Sequence, residues 1–248
     1  AGPITLAQSA CVKARTLSGT TWSALNEAAY AVGPVAENLR ISEIMYHPSG
    51  DPNAEYVELT NAGDETINLN LTRFTKGIDY AFPSFELPPG DYCLLVKDIA
   101  AFETRYGGQL PVLGQYGGSL ANAGEKIELA DAAGRIIESF EYNDDWFDLT
   151  DGLGFSLTVR DAQAAADLNG RNAWRPSAYA GGSPGEDDSD QTIEPGSVVI
   201  NEVLANPADG SSDWIELHNT TAQEIGIAGW YLSDDADNLT KYRIGAGT

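Results

Sequence analysis

Hydrophobic and polar side chains alternate along short stretches of the chain, and the breaks between these stretches are rich in Gly, Pro, Asn and Asp. Alternation with a period of two is typical of β-strands that have one buried face. From residue 38 onward the pattern predicts strands at 40–46, 55–60, 66–75, 79–86, 91–97, 125–130 and 135–142. Short strands separated by turn residues indicate an antiparallel β-sandwich or barrel.

One stretch has a helical period instead. Ile99, Phe102 and Tyr106 recur at a spacing that places them on one face of a helix. Asp98 is a good N-cap, and Gly107 is suited to end the last turn. The sequence therefore predicts one short helix near 98–106 in an otherwise all-β chain.

The opening of the β pattern occurs twice. Residues 39–61 are similar to residues 198–219. Matching positions hold two glutamates and a proline in each copy, which are Glu43, Glu58 and Pro48 in the first and Glu202, Glu216 and Pro207 in the second. A separation of about 158 residues is too long for a solenoid unit and fits two copies of a whole domain.

The N-terminal residues form a separate pattern. Residues 4–16 alternate, residues 17–21 turn, and residues 22–32 return as a second strand. Parts of this hairpin, at 12–15 and 22–28, resemble the last hairpin of the small C-terminal β domain of chitobiase-type hexosaminidases. The resemblance implies the end of a β-sandwich module and no sugar hydrolase.

These patterns predict four segments, which are a C-terminal hairpin of a truncated β-sandwich at 1–33, a complete sandwich at 38–185, an acidic linker at 186–196 and the N-terminal part of a second sandwich at 197–248. Like charges are expected to extend the linker. Half a sandwich exposes an apolar face and an unpaired strand edge. We therefore expect self-association, in which residues 198–248 dock on the hairpin at 4–32 within one chain or between chains.

A series of motifs in the central segment identifies a family. They are the stretches at 41–48, 55–61, 73–83 and 87–92, followed by 145–146, 150–157, 172–177 and 181–185. Together they resemble the bacterial branch of the lamin-tail domain family, and the resemblance implies an immunoglobulin-like β-sandwich. The first copy departs from the family at Leu71-Thr72, where the family has Gly-Trp, whereas the second copy keeps Gly229-Trp230.

Charge and composition exclude some partners. The chain has 248 residues, of which 42% are hydrophobic, and its net charge is −23. This charge repels nucleic acid phosphates and anionic lipids alike. No run approaches 18 apolar residues, so we expect no membrane insertion. Two cysteines, Cys11 and Cys93, lie in apolar runs and are predicted to be buried thiols.

The repeated glutamates are the main chemical candidates. Glu43 and Glu58 lie inside predicted strands, where a carboxylate must reach solvent, a backbone donor, an arginine or a cation. Because they recur as Glu202 and Glu216, the pattern is expected to belong to the fold. Structural hydrogen bonding is favoured over a metal site and over the paired carboxylates of a glycosidase.

Three further groups have both a functional and a structural interpretation. Four aspartates around Trp146, namely Asp144, Asp145, Asp148 and Asp151, and the stretch 167–172 could supply oxygen to Ca²⁺, although neither fits an EF-hand loop and solvated loops are favoured. Trp174 and Arg175 could stack on a ligand, with Trp146 as the third ligand-binding candidate, but closure of one edge of the sandwich by Trp174 is favoured. His47 and His218 have no counterpart in the other copy, which argues against a catalytic role.

The sequence thus predicts a non-catalytic interaction or spacer module of a large secreted or cell-surface bacterial multidomain protein. Its expected partners are other domains of the same polypeptide or another protein. The first alternative is a carbohydrate- or calcium-dependent binding module, with Ca²⁺ as the one cofactor considered. The second alternative is a hydrolase that uses the paired glutamates.

Overall fold

The computed structural model describes residues 2–164, 167–189, 196–207, 210, 212–222, 225–227, 230–235 and 238–245. The chain divides into two compact units, Ala1–Asp190 and Gln191–Thr248.

The strands of the first unit are β1 (Ala10–Ala14), β2 (Leu17–Ser18), β3 (Thr21–Trp22), β4 (Asn26–Tyr30), β5 (Leu39–Met45), β6 (Tyr56–Asn61), β7 (Ile67–Asn68), β8 (Arg73–Lys76), β9 (Glu86–Leu87), β10 (Tyr92–Val96), β11 (Val112–Gln115), β12 (Lys126–Ala130), β13 (Ile136–Glu141), β14 (Leu157–Val159) and β15 (Trp174–Pro176). Its α-helices in the described residues are α1 (Val35–Asn38) and α2 (Ile99–Tyr106).

Two sheets form the body of this unit. The larger one has the strand order β11-β10-β6-β5-β14-β15, and the smaller one has the order β13-β12-β8. Every neighbouring pair is antiparallel except β10 and β11, which run parallel at one edge. The fold confirms the predicted all-β, immunoglobulin-like sandwich, with a parallel edge strand that the sequence did not indicate.

The core lies between the two sheets. Ile44 of β5 and Val57 of β6 point inward and meet Phe74, Leu129 and other side chains of the smaller sheet. Because successive residues of a strand point to opposite faces, their neighbours Met45 and Tyr56 point outward.

The outer face of the larger sheet is also buried, because α2 packs on it. Met45 and Tyr56 join Phe102 of the helix in a second apolar cluster, in which the Tyr56 and Phe102 rings meet edge to face at 5.7 Å. The Asp98 side chain accepts the Ala101 N–H at 2.8 Å, so the predicted N-cap is confirmed. Ile99, predicted to share the buried face of the helix, is instead exposed.

The predicted strand at 66–75 is wrong in its length, because the backbone turns in its middle. Leu71 has φ +65°, in the left-handed region, and this turn separates β7 from β8. Residues 79–86, also predicted as one strand, form two isolated bridges, from Ala81 to Arg73 and from Asp79 to Gly117, and reach regular strand geometry only in β9. The alternating pattern did not predict β11, β14 or β15, each of which has four residues or fewer.

The two cysteines lie in different environments. Cys93 is buried in β10, as predicted, but Cys11 is exposed on β1, and its thiol donates to Glu27 at 3.3 Å. The prediction for Cys11 was wrong because β1 pairs only with β4 in a two-stranded ribbon, which has no sheet packed over that face.

The N-terminal ribbon contacts the sandwich through its leading segment. The Asn70 side chain donates to the Ser9 carbonyl at 2.8 Å, and the Ser84 hydroxyl donates to the Gln8 side chain at 3.0 Å. Farther along the ribbon, Trp22 is half exposed and lies under the Arg15 guanidinium at 4.2 Å.

The second unit contains β16 (Val198–Leu204), β17 (Trp214–Asn219), β18 (Tyr231–Leu232) and β19 (Tyr242–Arg243), which form the antiparallel pairs β16-β17 and β18-β19. Gly229 of the predicted Gly-Trp step lies outside the described residues, as do residues 190–195 of the predicted linker. The prediction that this linker begins at 186 was wrong, because Asp188 is only 2% exposed and is bound to the sandwich.

Candidate functional site

A β-bulge in β5 places two carboxylates beside each other on the outer face of the larger sheet. The register with β6 shifts between Ile41 and Glu43, so Ser42 is the extra residue and Glu43 lies directly opposite Glu58. Without the bulge, Glu43 would share the inward face with Ile41. The bulge therefore keeps the carboxylate out of the apolar core, and both glutamates are 1% exposed.

Glu43 accepts hydrogen bonds at both oxygens. Its Oε1 accepts from the Tyr56 hydroxyl at 2.5 Å, from the Ser183 N–H at 2.9 Å and from the Ser156 hydroxyl. Its Oε2 accepts from the Ser183 hydroxyl at 3.1 Å. A buried carboxylate is costly unless its lone pairs are satisfied, and here hydroxyl and amide donors of the chain satisfy them.

Glu58 is held in a similar way. Its Oε1 accepts the Ser42 hydroxyl at 2.7 Å, and its Oε2 accepts the Gly185 N–H at 2.5 Å. The bulge residue and a distant glycine thus share one carboxylate.

The donors at 183 and 185 belong to a segment that crosses the outer face of the sheet, residues 182–188, which we call the strap. The strap begins at Gly182, where φ is +83° and the backbone passes very close to the glutamates. An added Cβ there would lie 2.5 Å from Glu43 Oε1 and closer still to the Tyr56 hydroxyl. Glycine is therefore required at this position both by conformation and by space.

A buried ion pair fastens the far end of the strap. Arg175 of β15 donates to Asp188 Oδ1, and the Ala178 N–H donates to Asp188 Oδ2 at 2.6 Å. Both side chains are almost fully buried. Burial raises the pKa of Asp188, but the hydrogen bonds from Arg175 and Ala178 outweigh it and hold the pKa below its usual value.

The pKa values of the paired glutamates are shifted in the opposite direction from that of Asp188, because they are raised. Burial raises the pKa of Glu43 even though hydrogen bonds from Ser156, Tyr56 and the Ser183 N–H lower it. Burial and then the negative charge of Glu43 raise the pKa of Glu58 well above its ordinary value. The pair therefore retains a proton at pH values where exposed glutamates are ionised.

An open groove of about 480 Å³ lies beside the strap. The glutamates form part of its floor, and its rim carries Arg160, Asp161, Glu186 and other polar residues. The groove has mixed charge, but both glutamates already use their oxygens within the chain. In this arrangement their chemistry serves to hold the strap.

The structure separates the residues predicted to bind a ligand. Trp174 is fully buried, packs on Phe140 at a centroid distance of 5.2 Å, and donates its Nε1–H to the Leu168 carbonyl at 2.8 Å. Arg175 is the next residue of the strand and points to the opposite face, toward the strap. Trp146 is partly buried, 6.4 Å from Trp174 by ring centroids. The three side chains therefore form no common stacking surface.

Three of the four aspartates lie in two consecutive 3-10 turns, which span Asp144–Trp146 and Asp148–Thr150, and Asp151 caps the end of the second turn. Asp151 contacts His47, with Oδ1 at 2.6 Å from Nδ1, and both side chains are partly exposed. In the part of the chain that the structure describes, no three His, Cys, Asp or Glu side chains converge as metal ligands do.

The second copy repeats the bulge and the glutamate pair. The register of β16 and β17 shifts between Ile200 and Glu202, and Glu202 lies opposite Glu216. Asn201 takes the place of Ser42, and its side-chain amide donates to Glu216 Oε1. Both glutamates are exposed here.

Sequence reasoning found the glutamates but missed the groups that bind them. Ser156, Gly182 and Ser183 are distant in sequence from Glu43, and their types occur throughout the loops. A signal was present in the spacing, because Ile41 and Ile44 are three apart, as are Ile200 and Val203, and this interrupts the alternation of a strand. A bulge restores the inward direction of both apolar residues.

The fold and this buried pair define the first unit as an immunoglobulin-like β-sandwich closed by a strap. A family model described as Lamin Tail Domain matches residues 34–144 and 191–248, which make up more than half of the chain. The chain therefore belongs to the Lamin Tail Domain family, a family of immunoglobulin-like, non-enzymatic modules. The match confirms one long and one partial copy, while the predicted resemblance of residues 145–185 and of the N-terminal hairpin lies outside it.

The comparisons with curated proteins and with solved structures find no match. In the described residues, no helix is long and apolar enough to cross a lipid bilayer.

Proposed function

We propose that the chain is a non-catalytic interaction or spacer module of a large secreted or cell-surface bacterial multidomain protein. Its partners are other domains of the same polypeptide or another protein. The observation that carries this proposal is the use of Glu43 and Glu58, the chemically most unusual groups of the sandwich. Their oxygens accept from hydroxyls and backbone amides of the chain, which fastens the strap to the sheet.

A spacer must keep its shape, and the closed strap favours that property. Ser183 and Gly185 tie residues near the end of the sandwich to its first two strands. The larger sheet is covered on one face by the smaller sheet and on the other by α2 and the strap. Burial on both faces favours a stiff body over one that opens around a substrate.

Rigidity is tested by placing two spin labels on the sandwich. The exposed residues Asn53, before β6, and Ala133, between β12 and β13, lie in loops of the two different sheets. Cysteines at these sites, with Cys11→Ser to remove the exposed native thiol, give one distance between labels. A spacer predicts a narrow distance distribution that added Ca²⁺ or oligosaccharide leaves unchanged. A broad distribution would contradict the spacer role.

The unlabelled chain tests the two alternative functions, calcium-dependent binding and hydrolysis. Calcium-dependent binding by Asp144, Asp145, Asp148 and Asp151 would be reported by the partly buried Trp146 beside them. That function predicts a saturable change in Trp fluorescence and a higher melting temperature with Ca²⁺, both lost in Asp148→Asn. A hydrolase predicts turnover of a glycoside that Glu43→Gln abolishes. The interaction module predicts neither result.

A further inference from the structure

The second copy contains counterparts of the two carboxylates that bind the strap, and it also contains the β-bulge that orients them. Glu202 and Glu216 face each other across β16 and β17, as Glu43 and Glu58 do across β5 and β6. Asn201 stands at the bulge, where it orients Glu216 through a side-chain hydrogen bond. This acceptor geometry is therefore formed in the second unit itself.

The first copy shows what such a pair binds. There the equivalent oxygens accept the Ser183 N–H, the Ser183 hydroxyl and the Gly185 N–H. Two exposed acids alone would be an ordinary solvated surface. The independent observation is that the same two positions, with the same bulge, bind a peptide segment in the other copy of the domain.

We infer that the Glu202–Glu216 pair is a preformed docking site for a peptide segment with the chemistry of the strap. Such a segment has the sequence Gly-Ser-Pro-Gly or its equivalent. This inference deepens the proposed interaction role and rests on it. It adds the site and the chemical class of the partner.

The requirements on the peptide follow from the first copy. Two backbone N–H groups must be presented two residues apart, as they are at Ser183 and Gly185, and a hydroxyl must accompany the first. The residue before the serine must be glycine, because a Cβ at Gly182 meets the carboxylate. Proline between the two donors fits, since it needs no N–H there and restricts φ in advance.

The β16-β17 hairpin offers one further contact on the face that carries Glu216. Trp214 precedes Glu216 by two residues, so both side chains lie on one side of β17. It stands where Tyr56 stands in the first copy and is 40% exposed. Its indole can cover the docked peptide and supply an N–H near the carboxylates, as the Tyr56 hydroxyl does for Glu43.

The test measures binding of a fluorescein-labelled peptide with the sequence of residues 179–186 to the full chain by fluorescence anisotropy. We expect saturable 1:1 binding that is at least tenfold weaker in the double variant Glu202→Ala, Glu216→Ala, which removes the acceptor oxygens. The matched control is Glu103→Ala with Glu141→Ala, which removes two exposed carboxylates elsewhere and should bind as the unmodified chain does. A peptide that carries Gly182→Ala should also bind at least tenfold more weakly.

Three results would overturn the inference. One is no saturable binding up to the solubility limit of the peptide. Another is equal binding by the Glu202→Ala, Glu216→Ala variant, which would indicate that the peptide displaces the native strap from Glu43 and Glu58. The third is a dimer that light scattering detects without peptide in the unmodified chain but not in the same double variant. The β16-β17 hairpin would then bind a second copy of the chain. None of these results changes the label-distance test of the spacer role, so the two proposals fail separately.

Discussion

Ser183 contacts both oxygens of Glu43, with its N–H 2.9 Å from Oε1 and its hydroxyl 3.1 Å from Oε2, across a sequence separation of 140 residues. This contact joins the first strand of the sandwich to the strap that follows its last strand. Because the ends of the domain are tied together, the free energy of strap docking is part of the stability of the whole sandwich. Changes on either side of the contact are therefore expected to act on both.

Gly182→Ala should detach the strap and destabilise the sandwich. A Cβ at this position meets Glu43 and Tyr56, and φ is +83°, so both steric overlap and backbone strain oppose it. We expect a loss of about 3 kcal/mol or more in the free energy of unfolding. Hydrogen exchange should show that residues 182–188 lose protection.

Gly181→Ala is the matched control for this change. Its φ is +112°, but the nearest atom to an added Cβ is 3.8 Å away, on Tyr106. It therefore carries strain without overlap and should cost about 1–2 kcal/mol. Equal losses in the two variants would show that the close approach to Glu43 is unimportant.

Glu58→Ala and Glu58→Gln should differ strongly. Alanine leaves the buried Gly185 N–H and Ser42 hydroxyl without their acceptor, at a cost of about 2–4 kcal/mol. Glutamine keeps an oxygen for Gly185, presents an amide to the Ser42 oxygen and cannot ionise beside Glu43, so we expect a change within about 1 kcal/mol. Urea denaturation at neutral pH measures both.

Glu216, the exposed counterpart of Glu58 in the second copy, provides the control for the Glu58 variants. Glu216→Ala should change the stability of the first unit little. If Glu58→Gln were as damaging as Glu58→Ala, the negative charge, and not hydrogen bonding, would be what the strap requires.

Glu138 gives stability a definite pH dependence. Burial raises its pKa to about 7 from an unperturbed 4.5, against a hydrogen bond from the Ile41 N–H at 2.8 Å and the charge of Arg40. In the folded state the proton is held more tightly than in the unfolded state. The stabilisation is complete below pH 4.5 and is lost as the pH rises to about 7.

Glu138→Gln should remove this dependence, because the amide oxygen still accepts from Ile41 and does not ionise. The difference in unfolding free energy between the unmodified chain and the variant should fall by on the order of 2–3 kcal/mol between pH 4.5 and pH 7.5. A constant difference for Glu138→Gln would contradict the raised pKa.

The buried ion pair should be sensitive to removal of one partner. Asp188→Ala leaves the Arg175 guanidinium buried without its counter-charge and leaves the Ala178 N–H without an acceptor. Such a change typically costs about 3–5 kcal/mol. Thermal denaturation and proteolysis near 186–189 measure it.

The exposed ion pair of Lys13 and Glu27 is the control for the buried pair of Arg175 and Asp188. Its side chains are about half exposed, and solvent screens their attraction, so Glu27→Ala should leave the melting temperature nearly unchanged. A small effect of Asp188→Ala would indicate that water replaces the carboxylate and that the strap is loosely held.

The sequence predicted the strands that carry a clear alternation and the helix that has both caps, and it failed where tertiary contacts decide. Glu43 and Glu58 were identified because they recur, but their partners could not be, since Ser183 and Gly185 become neighbours of β5 and β6 only when the chain has folded. Cys11 lies in an apolar run that has no sheet opposite it, so its pattern indicated a burial that the topology does not provide. Local patterns report which face of a strand is apolar, and they do not report what covers it.

Leu71 is the clearest case of a sequence departure with a measurable cost. The family resemblance places glycine at this position, and the backbone keeps the conformation that glycine favours, with φ +65°. A leucine in this region costs about 1–2 kcal/mol. Glycine normally destabilises relative to alanine by about 0.5–1 kcal/mol, because it loses more backbone entropy on folding.

At position 71 this order should be reversed. Leu71→Ala and Leu71→Gly both remove the half-buried side chain, but only glycine relieves the left-handed backbone. We therefore expect Leu71→Gly to be more stable than Leu71→Ala by about 1 kcal/mol in urea denaturation. At Ala133, in a turn where φ is not positive, the normal order should hold, so Ala133→Gly should be less stable than the unmodified chain. If alanine were the more stable residue at both positions, the turn between β7 and β8 would relax in solution, and the leucine would carry no strain.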